Sequence, residues 1–256
     1  AHQRPLAVGL ESSTRWLGRR LNKFTCGPGR MLTDLRKAFL NAPGKILRQL
    51  SEKKGPLTSN DLRDGMLAML AALLTKVPLR ISEAMALQFG VTLFDHGSAK
   101  SRKVTIDLSE DLVKNDLSRT AKLGVELIAL LDLYLKHIRP KLAEYNNTFL
   151  FPGKGEVDKS RSSDHISRSL AALTSKPPLV RMTAHQWRHV VGYIYLLEQP
   201  GCYEVVRRFL GHRAIETTMI YYAFMLENDA NESLDRTIDK LAALDGPSRI
   251  LSKRRA

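Results

Sequence analysis

Cysteine is nearly absent. Cys26 and Cys202 are the only two among 256 residues, far apart and in no CxxC pattern. That argues against a disulfide framework or a zinc site of common spacing, and its plain reading is a reducing, cytoplasmic compartment. Long apolar runs are missing as well. None approaches the roughly 18–20 residues of a membrane span. The N-terminal stretch AHQRPLAVGLESSTRW carries no signal-peptide core and no initiator Met, which reads as a processed or incomplete start. Acidic residues are scarce, with 26 Asp and Glu against 40 Lys and Arg, a formal charge of +14. No carboxylates gather in a DxD or ExxH pattern, so neither a divalent metal nor another cofactor is expected. No internal repeat is visible.

What remains is a chain with 43% hydrophobic residues, enough to bury a sizeable core. A domain this basic is built to meet a polyanion, either nucleic acid or an anionic membrane. The charge is uneven. Residues 1–56 hold twelve Lys and Arg against three acids, +9 of the total +14. This segment reads as a basic helical linker or extension, with helices near 11–23 and 31–51 separated at CGPG. A solvated arm and a phosphate-tracking linker explain its charge equally well. Residues 57–256 read as the main domain.

The periodicity of that domain is mostly helical. Thr58 or Ser59 caps a dense apolar run through Leu74, and a second helix runs from Arg80 toward Gly90. Residues 91–124 change character. KVTIDL alternates, and DLVKNDLSRTAKL reads as two short strands around a turn at Asn115–Asp116, which predicts a small antiparallel sheet. Helices resume at GVELIALLDLYLKHIRP, after which TFLFPGKG is strand-like. Further helices are predicted at SRSSDHISRSLAAL, at TAHQWRHVVGYIYLLEQPG (started by Thr183), and at CYEVVRRFLGH with Gly211 as its C-cap. A last helix spans 231–245, with Leu234, Ile238, Leu241 and Leu244 on one stripe.

Arg80, Arg188, His185, His212, nearby lysines and the pair Tyr221–Tyr222 suit chemistry at phosphorus. Arginine's planar fork matches two phosphate oxygens, tyrosine is a nucleophile once deprotonated, and histidine and lysine move protons. Without a metal, the phosphate charge would fall to side chains alone. Each residue also has a plainer reading. Arg80 would be a surface cation at a helix start, and His185 and Arg188 a polar stripe three residues apart. Gly211–His212 would be a helix cap, and the tyrosines packing aromatics. His165 and Arg168 fit a DNA backbone contact or an ordinary polar helix face equally well.

Order and spacing together carry more. LRISEAMAL resembles the first arginine box of the tyrosine recombinases, the phage-integrase and Xer-like family, with Arg80 and Glu83 in place. LVKNDLSRTAKL resembles that family's hairpin and puts Lys114 at its lysine, although Lys100, Lys103 and Lys122 lie close by. HQWRH matches the His-x-x-Arg box through His185 and Arg188. FLGHRAIETT matches Leu-Gly-His through His212, and Tyr221 follows at nine positions. QPGCYEVVRRFLGH further resembles integrases of bacterial genomic islands and integrative elements.

The resemblance implies an α+β fold, mainly helical, with a small antiparallel sheet. It implies site-specific DNA recombination or integration through a 3′-phosphotyrosyl intermediate. Arg80 and Arg188 would grip the phosphate, Tyr221 attack, and Lys114 protonate the leaving 5′-oxygen. His185 would assist the tyrosine proton, His212 hydrogen-bond the phosphate, and Glu83 support Arg80 or a histidine. Tyr222 would be a packing neighbour. Double-stranded attachment-site DNA would be the partner, bound by a homotetramer, with a monomer compatible with the DNA-free state. Residues 1–56 would follow a DNA-clamping domain lying upstream, and the helix at 231–245 would dock in cis or on a neighbouring protomer. A type IB topoisomerase, a telomere-resolving enzyme and a catalytically silent DNA-binding module are the alternatives.

Overall fold

The structure is a computed structural model. It describes residues 30–97, 101–113, 118–155, 158–175, 181–199, 201–216, 218–219 and 238, with the side chains of 30–35 and 197 left aside. Seven α-helices are described: α1 Arg30–Ser51, α2 Ser59–Lys76, α3 Ile81–Met85, α4 Val125–His137, α5 Ser163–Leu173, α6 Ala184–Glu198 and α7 Tyr203–Leu210. Three strands, β1 Leu93–His96, β2 Lys103–Leu108 and β3 Arg119–Lys122, form one antiparallel sheet in the order β1-β2-β3. The architecture is therefore α+β and mainly helical, as expected.

Helix α2 is the centre. Thr58 caps it by accepting from the Asp61 N–H, while Asp61 accepts back from the Thr58 N–H at 2.7 Å. Every residue from Gly65 to Leu74 is buried. A helix apolar on all sides must be wrapped by others, and α1, α4, α5 and α6 pack around it. Gly65 permits the closest of these approaches, since a Cβ there would lie 2.4 Å from Ile138 Cδ1. Phe39 and Leu47 of α1 join the same core, and the Phe39 ring lies 4.3 Å from that of Trp187 on α6. The Trp187 indole N–H donates to Thr75 Oγ1 at 3.0 Å, which fixes the rotation of α6 against α2.

In the sheet, Val104, Ile106 and Leu108 of β2 point inward and Lys103 and Asp107 outward, the alternation of a half-buried strand. Thr105 pairs with Lys122 and Leu108 with Arg119. Three local expectations are corrected. DLV does not extend as a strand: Glu110–Leu112 is a single 3₁₀ turn closed by the Val113 N–H on Glu110 O. Glu110 and Asp111 lie inside this turn, acids at a helix start, where they suit the N-terminal dipole end more than a strand.

The second predicted helix stops at Met85, not Gly90. There Thr92 Oγ1 accepts from the Gln88 N–H and donates to Ala86 O, turning the chain into β1, a strand the sequence reading missed. TFLFPGKG forms only isolated bridges, Gln88 to Phe149 and Pro152 to Ser160. Its carbonyls are taken by side chains instead: Tyr134 Oη donates to Leu150 O and Arg139 to Phe149 O, each at 3.0 Å. The expected helices at 11–23 and 231–245 and the turn at Asn115–Asp116 lie outside the described residues, apart from Ile238.

Candidate active site

Arg80 is the N-cap of α3, in extended conformation, and the helix begins there because Glu83 accepts from its backbone N–H at 2.8 Å. The other Glu83 oxygen accepts from Arg80 Nη1 at 2.7 Å. Glu83 is fully buried, so its charge needs partners. It has a second one in Arg119, at the start of β3, whose Nη1 donates to it at 3.2 Å.

Arg188 and His185 lie one turn apart on α6, started by a capping box between Thr183 and Gln186. Arg188 is 3% exposed and donates to the carbonyls of Pro78 and Leu210. His189, next along the same face, sets its Nε2 3.1 Å from that of His185. Its ring lies 6.3 Å from the ring of His212. Gly211 ends α7 at φ 58°, a left-handed cap that glycine adopts without strain, and this turn delivers His212 to the same place. Arg80 Nη2 donates to Gly211 O at 3.3 Å, and His212 Nδ1 lies 2.9 Å from Thr218 Oγ1.

Arg80, Glu83, His185, Arg188 and His212 are thus brought together from three stretches of chain. Lys114, Tyr221 and Tyr222 lie outside the described residues. Two residues of the cluster were not foreseen, Arg119 and His189. A signal existed for each. In the strand Arg-Thr-Ala-Lys, alternation puts Arg119 on the face of Ala121, which packs on the core. His189 follows His185 by four residues, one helical turn.

Arg80 and Arg119 pair with Glu83, and Arg188 joins them through the Pro78 carbonyl that Arg119 also uses, so three arginines against one carboxylate leave two positive charges in excess. All three histidines are held neutral at pH 7. Burial is the main cause for each. Arg188 and Arg80 push His185 down further, and Arg188, Arg80, His185 and Arg207 take His212 to about 4. His189 falls well below the usual value through burial and its neighbours His185, Arg188 and His212.

This fixes a sign. The unfolded chain binds protons at these histidines near pH 6.5, whereas in the folded chain all three resist, His212 until about pH 4. Stability is expected to be full above about pH 6.5 and to fall as the pH drops toward about 4. Asp61 and Glu204 are held down to about 2 by their cationic partners, and the stability they add is present across this range and is lost only as the pH falls below about 4 toward about 2. Urea midpoints measured from pH 7.5 downward check this, and a flat profile to pH 5 would contradict it.

Comparison with known proteins places the chain. The model of the phage integrase family matches residues 45–227, and the chain belongs to that family. It is a tyrosine-recombinase catalytic domain. Among solved structures it is similar to the XerH site-specific recombinase bound to palindromic difH substrate in a post-cleavage complex. The TM-score is 0.50 and the identity 19%, over 74% of this chain and 51% of that one. The XerA recombinase is matched at TM-score 0.46 and 18% identity, over 84% of this chain and 87% of that one. At such identity the XerH likeness is one of fold, and this chain spans about half of that relative's length. No curated protein matches.

Proposed function

We propose that this domain cuts and rejoins DNA in site-specific recombination or integration, through a covalent tyrosyl intermediate. The observation that carries this reading is the surplus of arginine charge around Glu83, beside three neutral imidazoles. Such a site stabilises an oxyanion where charge grows, without a metal. Arg80 and Arg188 hold the non-bridging oxygens of the scissile phosphate. Tyr221 Oη attacks phosphorus, its proton passing to the neutral His185, and the Oη–P bond forms as the bond to the 5′-oxygen breaks. Lys114 supplies the proton to that oxygen. His212, whose Nδ1 lies 2.9 Å from Thr218 Oγ1, hydrogen-bonds the phosphate through Nε2 in the tautomer that carries the proton there.

The tyrosyl phosphodiester conserves the bond energy, so a 5′-hydroxyl can reverse the step without ATP. Duplex DNA is the partner. Away from the site, an open cleft lined by Arg63, Lys141, Lys154, Lys159, Arg161 and His165 supports backbone binding. The assembly on DNA is a tetramer.

A nicked suicide substrate tests the reading. After cleavage it loses the strand that would reverse the reaction, so an adduct stable to denaturing gels should accumulate. Peptide mapping should place the DNA on Tyr221. An adduct on Tyr222 would overturn the register, and no adduct on any attachment-site DNA would favour a silent binding module.

A further inference from the structure

The end of α7 is held in an unusual way. Its three consecutive carbonyls at 209, 210 and 211 each accept from a different arginine: Phe209 O from Arg119, Leu210 O from Arg188, and Gly211 O from Arg80. The three donors come from β3, α6 and the start of α3. The last carbonyls of a helix have no intrahelical partner and carry its negative dipole end, so cations gather there readily. One of the three arginines does more than the others. Arg119 also donates to Glu83 at 3.2 Å and to Pro78 O at 3.3 Å, and Pro78 O is the second acceptor of Arg188. A single guanidinium therefore spans the carboxylate that orients Arg80, the carbonyl that orients Arg188, and the helix end that carries His212.

We propose that Arg119 is a positioning residue of the phosphate site, a cross-piece that sets Arg80, Arg188 and the His212 turn in mutual register. It is not a phosphate ligand itself. Its Nη2 gives both hydrogens to Pro78 O and Phe209 O, and its Nη1 turns to the Glu83 carboxylate. The planar fork is what the role needs, because one ammonium cannot reach acceptors spread over three segments. Arg119 also opens β3, five residues after Lys114 in the sequence. The catalytic part of this proposal rests on the recombinase reading above; the geometric part does not.

Two measurements test it on the wild-type chain and on Arg119→Ala and Arg119→Lys. The first is independent of catalysis. Arg119 is not among the groups that depress His212, which are burial, Arg188, Arg80, His185 and Arg207. A changed His212 titration thus reports that the helix end or the other arginines have moved. By proton NMR, the His212 ring should stay neutral between about pH 5 and 8 in the wild type and begin to protonate within that window in both variants. Folded variants whose His212 behaves as wild type would overturn the proposal.

The second is single-turnover cleavage of the suicide substrate. The rate should fall by roughly 10², the usual cost of a displacement near 1 Å, with DNA affinity within about threefold of wild type. A rate within that same margin, or a loss lying wholly in affinity, would overturn it. If the alanine variant does not fold, the lysine variant, which keeps charge and stem, decides. If the wild type itself yields no adduct, the recombinase reading fails, and the NMR result still decides whether Arg119 positions the cluster.

Discussion

Glu83→Ala is expected to destabilise the protein by about 3–5 kcal/mol, because it strips the counter-charge from two arginines in a buried setting. The Glu83 side chain is 1% exposed, against 21% for Arg80 and 14% for Arg119, so water cannot take its place without opening the site. The same change removes the acceptor for the Arg80 N–H that begins α3. A fall in melting temperature of roughly 10 °C follows for a domain of this size. Glu83→Gln keeps the shape and one acceptor but turns an NH₂ group toward donors, so its loss should be intermediate. Thermal and urea melts at pH 7 measure both. A loss below about 1 kcal/mol for the alanine variant would mean that the arginines find other partners, and the charge argument for the site would fail with it.

Arg188→Ala is expected to lower the single-turnover rate of adduct formation by roughly 10² to 10³, the usual cost of removing one preorganised donor from a developing oxyanion. Stability should fall too. Leu210 O loses its guanidinium in the interior, at about 1–3 kcal/mol for an acceptor left without a partner. Pro78 O fares better because Arg119 also donates to it. Arg188→Lys should not restore the rate, since one ammonium cannot serve two diverging carbonyls and a phosphate together. Recovery to within about tenfold of wild type by lysine would show that charge alone suffices there.

Both effects depend on contacts that local sequence encodes only in part. The Arg80–Glu83 pair was legible through the resemblance of LRISEAMAL to the family's first arginine box, and the local rule that a carboxylate three residues into a helix reaches back to its N-cap agrees with it. His185 and Arg188 were legible for the same kind of reason: helical period puts them on one face, and the capping residue Thr183 marks where that helix starts. Gly211 announced its left-handed turn. The errors lay where tertiary contacts compete with propensity. The run after Met85 looked helical, yet the Thr92 hydroxyl ends the helix by capturing groups at 86 and 88. In the strand-like segment at 149–152 Arg139 and Tyr134 take the carbonyls of Phe149 and Leu150, and the backbone is left with isolated bridges in place of a ladder.

The sequence by itself determined the mainly helical plan, the small sheet, the excess of positive charge and the order of the arginine, histidine and glycine boxes. The plan, the sheet and the charge follow from periodicity, capping and composition within short windows, and the boxes from their resemblance to those of the recombinase family. Only the tertiary structure decided that Glu83 serves two arginines, that His212 comes beside His189, and that three arginines close on one helix end. Arg119 lies 36 residues from Glu83 and 90 from Phe209, and no local rule spans such distances. Burial is equally a property of the assembled core, and it is burial, more than any neighbour, that keeps His185, His189 and His212 neutral.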